Sequence, residues 1–146
     1  MSGHTLVLTR HFACPPEVLF DAWTDPAQLP QWFGPMGFDC ETKYIDLREG
    51  GEWVFDMVSP DYGRFANRHR FVTLSRPSLI VFEMDGLDGA DPKRVEVAME
   101  VYAGGTRMVY TMTFPNADEL AAAQAINAVE LGYSTLGKLA VHVAAL

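Results

Sequence analysis

The chain has 146 residues, 49% of them hydrophobic and 21% charged, the composition of one globular domain able to bury a sizeable core. A net charge of −8, with its 11 basic residues scattered, leaves no electrostatic footprint for nucleic acid and is repelled by an anionic membrane surface. No apolar run approaches the roughly 18 residues needed to cross a bilayer.

Met1-Ser2-Gly3-His4-Thr5 carries neither a basic stretch nor a small-residue cleavage site, so no signal peptide is expected there. Leu6 to Phe12 alternates as a strand. Pro15-Pro16 stops it, and Pro16 suits the first turn of a helix, where its missing N–H costs nothing. Val18, Leu19, Ala22 and Trp23 follow at helical spacing. A second short helix then starts with Asp25 as cap, Pro26 at N1 and Gln28 at N3, and ends near Trp32-Phe33, before Gly34-Pro35.

From Cys40 to Phe114 the pattern is β, with strands at about 39–46, 51–58, 67–75, 78–85, 94–103 and 106–114. Turn residues separate them, and Gly104-Gly105 between two alternating runs is the strongest hairpin signal. Asn116-Ala117-Asp118-Glu119 reads as a helix start. No proline interrupts the stretch from there to about Ala144, so one rod of roughly 40 Å is expected. Ile126, Val129, Tyr133, Leu136, Ala140 and Val143 give it one apolar face. One helix cannot cover a flat sheet of six or seven strands, so the sheet must curve around it. The expectation is a single α+β domain over residues 1–146, with the two short helices closing one end of the groove.

Side-chain alternation assigns the inner face. Trp53, Phe55 and Met57 point in, with Glu52 and Asp56 outside; so do Val95, Val97, Met99 and Val101, and across the hairpin Met108, Tyr110, Met112 and Phe114. In 78–85 either set could face inward, with Phe82 favoured. If Val72 and Leu74 face in, the period of two carries Arg70 in as well. A buried guanidinium needs a partner, Glu83 or a ligand carboxylate; the alternative is a rim arginine bridging an acidic neighbour. Methionines on inner faces suit either an adaptable cavity wall or a packed core. Gly132 and Gly137 each cost a helix about 1 kcal/mol relative to Ala, which points to close backbone approach or added room. Candidate ligand contacts are Trp32, Phe33, Trp53, Phe55, Met57, Arg70, Val72, Phe82, Met99, Tyr110, Met112, Ile126, Val129 and Tyr133, with Trp32 and Phe33 equally readable as core wedges.

The segments Ala13-Cys14-Pro15-Pro16-Glu17-Val18-Leu19-Phe20-Asp21-Ala22-Trp23-Thr24-Asp25-Pro26, Trp32-Phe33-Gly34-Pro35 and Asp46-Leu47-Arg48-Glu49-Gly50-Gly51-Glu52-Trp53 resemble bacterial proteins named after the heat-shock-protein-90 ATPase activator. Leu131-Gly132-Tyr133-Ser134-Thr135-Leu136 is similar to that family's final helix. The resemblance implies the START-like, birch-pollen-allergen-like (SRPBCC) helix-grip fold, with a cavity between sheet and helix. Relatives in that superfamily carry apolar molecules or catalyse cyclisation and related reactions, and homodimers are compatible with the family. Where the family usually has a glycine and then an apolar residue, this chain has His69 and Arg70.

Cys14 and Cys40 lack a CxxC spacing and His4, His11, His69 and His142 show no ligand-like pairing, so no metal or cofactor is expected, and the thiols read as reduced in a cytoplasmic protein. No serine lies in a GxSxG elbow and no glycine-rich phosphate loop follows a strand. The leading expectation is binding of a small apolar or amphipathic molecule. An enzyme of cyclase or hydrolase type using the same cavity comes second, and a co-chaperone or stress-related interaction module third.

Overall fold

The computed structural model describes residues 4–85 and 91–146. Among these residues seven strands form one antiparallel sheet in the order β1-β7-β6-β5-β4-β3-β2. They are β1 (Thr5–Phe12), β2 (Asp39–Ile45), β3 (Glu52–Ser59), β4 (Gly63–Ser75), β5 (Leu79–Met84), β6 (Lys93–Tyr102) and β7 (Gly105–Thr113). Helices α1 (Pro16–Thr24) and α2 (Leu29–Trp32) follow β1, and α3 (Ala117–Ala125) and α4 (Ala128–Ala144) follow β7. The first strand therefore closes onto the last, which leaves β1 and β2 as the edges.

Two glycine pairs punctuate the strands, and in each the two glycines answer different demands. Gly50 (φ +83°) and Gly104 (φ +78°) occupy the left-handed region. A Cβ on Gly51 would lie 2.1 Å from the Asp46 carbonyl oxygen, and one on Gly105 would lie 2.1 Å from that of Phe12. The β6–β7 turn is one residue earlier than the glycine pair suggests. Ala103 (φ 49°) and Gly104 are its two central residues, with Tyr102 opposite Gly105. Positive φ at both positions matches the twist of the flanking strands.

Bulges at Lys43 and Val72 shift the register of β2 against β3 and of β4 against β5. Each bends its strand and adds twist. The concave face packs on α1, α2 and α4. Asp25 caps the turn before α2, accepting from the Ala27 N–H at 2.8 Å. Gln28, instead of reaching back to a main-chain N–H, donates to Asp25 Oδ2 at 3.1 Å. Trp32 Nε1 donates to the Ala22 carbonyl at 3.0 Å and fixes α2 against α1. Leu136 and Leu139 are the fully buried residues of α4.

The single rod expected at the C-terminus is broken. α3 stops at Ala125, and Asn127 turns the chain in the left-handed region (φ 58°, ψ 46°), which asparagine tolerates better than most residues. α3 is capped at Asn116, whose side chain accepts from the Glu119 N–H at 2.9 Å, yet none of its residues is buried. At 1.5 Å per residue α4 alone spans about 26 Å. Two residues also depart in burial from what their faces suggest. Val101 is 76% exposed, because it lies at the β6 end beyond the helical cover. Asp56 is buried although it lies on the outer face, where Arg64 and Lys43 fold over it.

Candidate functional site

Pairing registers lay out the concave face in rows across the sheet. One row runs Trp53, His69, Met84, Lys93. The next runs Phe71, Phe82, Val95, Met112, Leu6, and a third runs Ile80, Val97, Tyr110, Leu8. Trp23, Trp32 and Phe33 from the short helices cover part of this surface. Trp23 and Trp32 meet edge-on with centroids 4.7 Å apart, and Phe33 stands 5.5 Å from Trp53 and 6.1 Å from Phe55. Leu136 and Leu139 seal the same region. Here the sheet–helix interior is packed solid.

The remainder of the face, under the first half of α4, is hollow. A cavity of about 360 Å³ extends from Met57 and Phe65 near the β3–β4 turn to Leu6, Leu8 and Tyr110 near the β1 edge. Its roof is Ile126, Ala128, Val129, Leu131, Gly132 and Thr135. That volume lies within the range of small-molecule sites. Phe65 (41%), Ile126 (66%) and Leu131 (39%) remain partly open to solvent and mark the mouth. Gly132 gives the roof its clearance, since a Cβ there would lie 2.4 Å from Leu8 Cδ1. Gly137 has nothing within 4 Å of its would-be Cβ and contributes no comparable approach. A second hollow, about 510 Å³, lies on the outer side between α2 and α4 and touches no strand residue.

Of the expected contacts, Phe33, Met57, Tyr110, Met112, Ile126 and Val129 do line the cavity. Trp32, Trp53, Phe55, Phe82 and Met99 are instead spent in the packed region, each buried. Tyr133 turns to the β1 edge, where its hydroxyl accepts from the Thr9 N–H at 3.2 Å. The methionines divide in the same way: Met57, Met84 and Met112 wall the cavity, while Met99 and Met108 fill core.

Arg70 and Val72 do not face inward. The bulge at Val72 changes the parity of β4, so both Phe71 (opposite Phe82) and Leu74 (opposite Ile80) are inner residues three positions apart. Counting back from Leu74 therefore puts Arg70 on the wrong side. Its guanidinium lies on the outer face, 2.8 Å from Asp85 and 4.0 Å from Glu83, among Arg68, Glu52 and Arg94. Val72 is 39% exposed.

The residue that takes the inner position is His69, which counting from Phe71 would have found. It is 2% exposed and boxed by Phe82 (4.8 Å, stacked), Phe33 and Phe55 (5.1 Å each) and Trp53 (5.4 Å). Its Nε2 has no hydrogen-bond partner among the described residues. Burial pushes its pKa from 6.5 down to about 3, so the ring is neutral. Burial likewise raises that of Tyr110, whose hydroxyl stays protonated, and pushes the Cys40 thiol up to about 12. Leu6, Leu8, Phe65, Asn67, Met84 and Lys93 are further wall residues that strand alternation could have supplied once the register was known. No group of three or more metal-ligating side chains occurs among the described residues.

A curved antiparallel sheet closed over a C-terminal helix, with a cavity beneath the helix, defines an α+β helix-grip protein. Residues 13–144 match the family described as "Activator of Hsp90 ATPase homolog 1-like protein", and the chain belongs to that family. Solved structures agree on the fold. A protein from Mycobacterium smegmatis superposes with a TM-score of 0.84 at 24% identity, over 97% of this chain and 91% of its own. One from Arthrobacter aurescens gives 0.88 at 18% identity, over 97% and 87%. The AHSA1 protein from Silicibacter pomeroyi gives 0.77 at 27% identity, over 96% and 97%. No curated protein sequence matches the chain. No helix among the described residues is long and apolar enough to cross a membrane.

Proposed function

We propose that this protein binds a small apolar or amphipathic molecule between its sheet and α4, and does so in the cytoplasm. The observation that carries the reading is the cavity of about 360 Å³, walled by methionine, leucine and aromatic side chains while the rest of the same face is tightly packed. A family fold alone does not specify function, and here the site does the arguing. Polarizable, unbranched methionines adapt to irregular ligand shapes. Cys14 and Cys40, both free thiols, suit a reducing compartment.

The test is a thermal-shift screen with medium-chain alcohols and flat aromatic phenols, on the native chain and on Gly132→Leu. A ligand that binds only the folded state raises Tm with concentration. The substitution drives a side chain from the roof toward Leu8 and fills the hollow. The native chain should show concentration-dependent stabilisation that Gly132→Leu, folded by circular dichroism, loses. Equal stabilisation of both would place binding outside the cavity and refute the proposal.

A further inference from the structure

Two polar groups stand in the wall of the cavity without partners among the described residues, on adjacent strands and offset along them. Tyr110 presents a hydroxyl with no hydrogen-bond partner among the described residues, although its ring packs on Trp23 at 6.3 Å. Lys93 stands farther along the wall, on the inner row with Met84, and has no ion pair among the described residues. The neighbouring wall carboxylate, Asp85, does not neutralise it: that group is taken up by Arg68 at 2.5 Å and Arg70 at 2.8 Å. Among the described residues the cation here is therefore uncompensated, in a chain whose net charge is −8.

The register gives the separation. Val97 pairs with Tyr110, and Lys93 lies four residues back along β6. At about 3.4 Å per residue and 4.8 Å between strands, the two backbone positions are roughly 14 Å apart. Met112 and Leu6 lie in the row between them, with Leu8 beside Tyr110 and Met84 beside Lys93. We infer that the ligand is an elongated apolar acid, its carboxylate at Lys93 and a hydroxyl or carbonyl at its far end on Tyr110. This inference rests on the cavity reading above and adds the ligand's chemistry and direction. The Tyr110 hydroxyl opens onto the cavity, so an occupant that hydrogen-bonds it there is favoured over a plain hydrocarbon end, which would strip it of water without replacing the bond. The half-buried Lys93 cation selects an acid over the matching alcohol, by an amount that solvent screening moderates.

The inference is tested by isothermal titration of dodecanol, dodecanoate and the ω-hydroxy derivative of dodecanoate against the native chain, Lys93→Gln and Tyr110→Phe. In the native chain dodecanoate should bind about fivefold tighter than dodecanol, and the ω-hydroxy acid about fivefold tighter again, each step the worth of about 1 kcal/mol of polar contact. Lys93→Gln should abolish the first preference and keep the second; Tyr110→Phe should do the reverse. Dodecanol binding with no gain for either acid overturns the inference and leaves the cavity reading standing. Preferences that persist in the variants overturn it too, because other groups would then be setting them. Failure of all three probes, dodecanol included, overturns the cavity reading and this inference together.

Discussion

His69 offers a sharp physical test of the interior, because it is an ionisable ring held neutral by four aromatic neighbours. Its pKa is depressed from 6.5 to about 3 on folding, so the unfolded chain binds the proton and the folded chain does not. Stability from this source is fully present above about pH 6.5 and drains away as pH falls toward 3, at about 1.4 kcal/mol per pH unit. Between about pH 6.5 and 4.5 the loss is about 3 kcal/mol, a large share of the total for a domain of this size. Asp25 and Asp56, whose carboxyls are held below the usual range by hydrogen bonds from the Ala27 N–H and from Arg64, lose their contribution only at lower pH. His69→Phe keeps a flat ring in the box and removes both the titration and the unpartnered Nε2, whose burial costs about 1–3 kcal/mol. The variant should match or exceed the native chain at neutral pH. It should also retain about 3 kcal/mol that the native chain loses by about pH 4.5. Urea unfolding followed by tryptophan fluorescence at both pH values measures this directly. Parallel acid losses in the two proteins would show that His69 is not the buried neutral group described here.

Two glycine substitutions should differ sharply. Gly137→Ala meets open space on a helix and should stabilise by about 0.5–1 kcal/mol, read as a rise in Tm. Gly51→Ala sets a Cβ 2.1 Å from the Asp46 carbonyl oxygen, a backbone atom that cannot swing aside. It should cost roughly 2–4 kcal/mol, seen as a lower urea midpoint with an unchanged slope.

Element order, the hairpins and the closing role of the short helices were legible in the sequence, because proline, glycine and the periods of two and 3.6 act locally. Trp53, Phe55, Val95, Val97 and Met108 could be placed inward for the same reason, and all are buried. What failed was anything that depended on a defect in a period. Arg70 and Val72 were misplaced because the bulge at Val72 is a feature of how β4 pairs with β5, and its composition does not announce it. The helix break carried one signal, Asn127, but an isolated asparagine is tolerated inside helices, so its left-handed turn is legible only in the folded chain.

The division between cavity and core lay furthest from the sequence. Phe33, Met57 and Tyr110 line the hollow while Trp53, Phe55 and Phe82 do not, although all six read alike along their elements. Alternation determines which side of the sheet a residue faces. Which part of that side is filled depends on where Trp23, Trp32 and Phe33 come to rest, and on the clearance Gly132 leaves above Leu8. Those are contacts between segments distant along the chain, such as Trp23 with Phe82 and Gly132 with Leu8, which only the folded chain brings together.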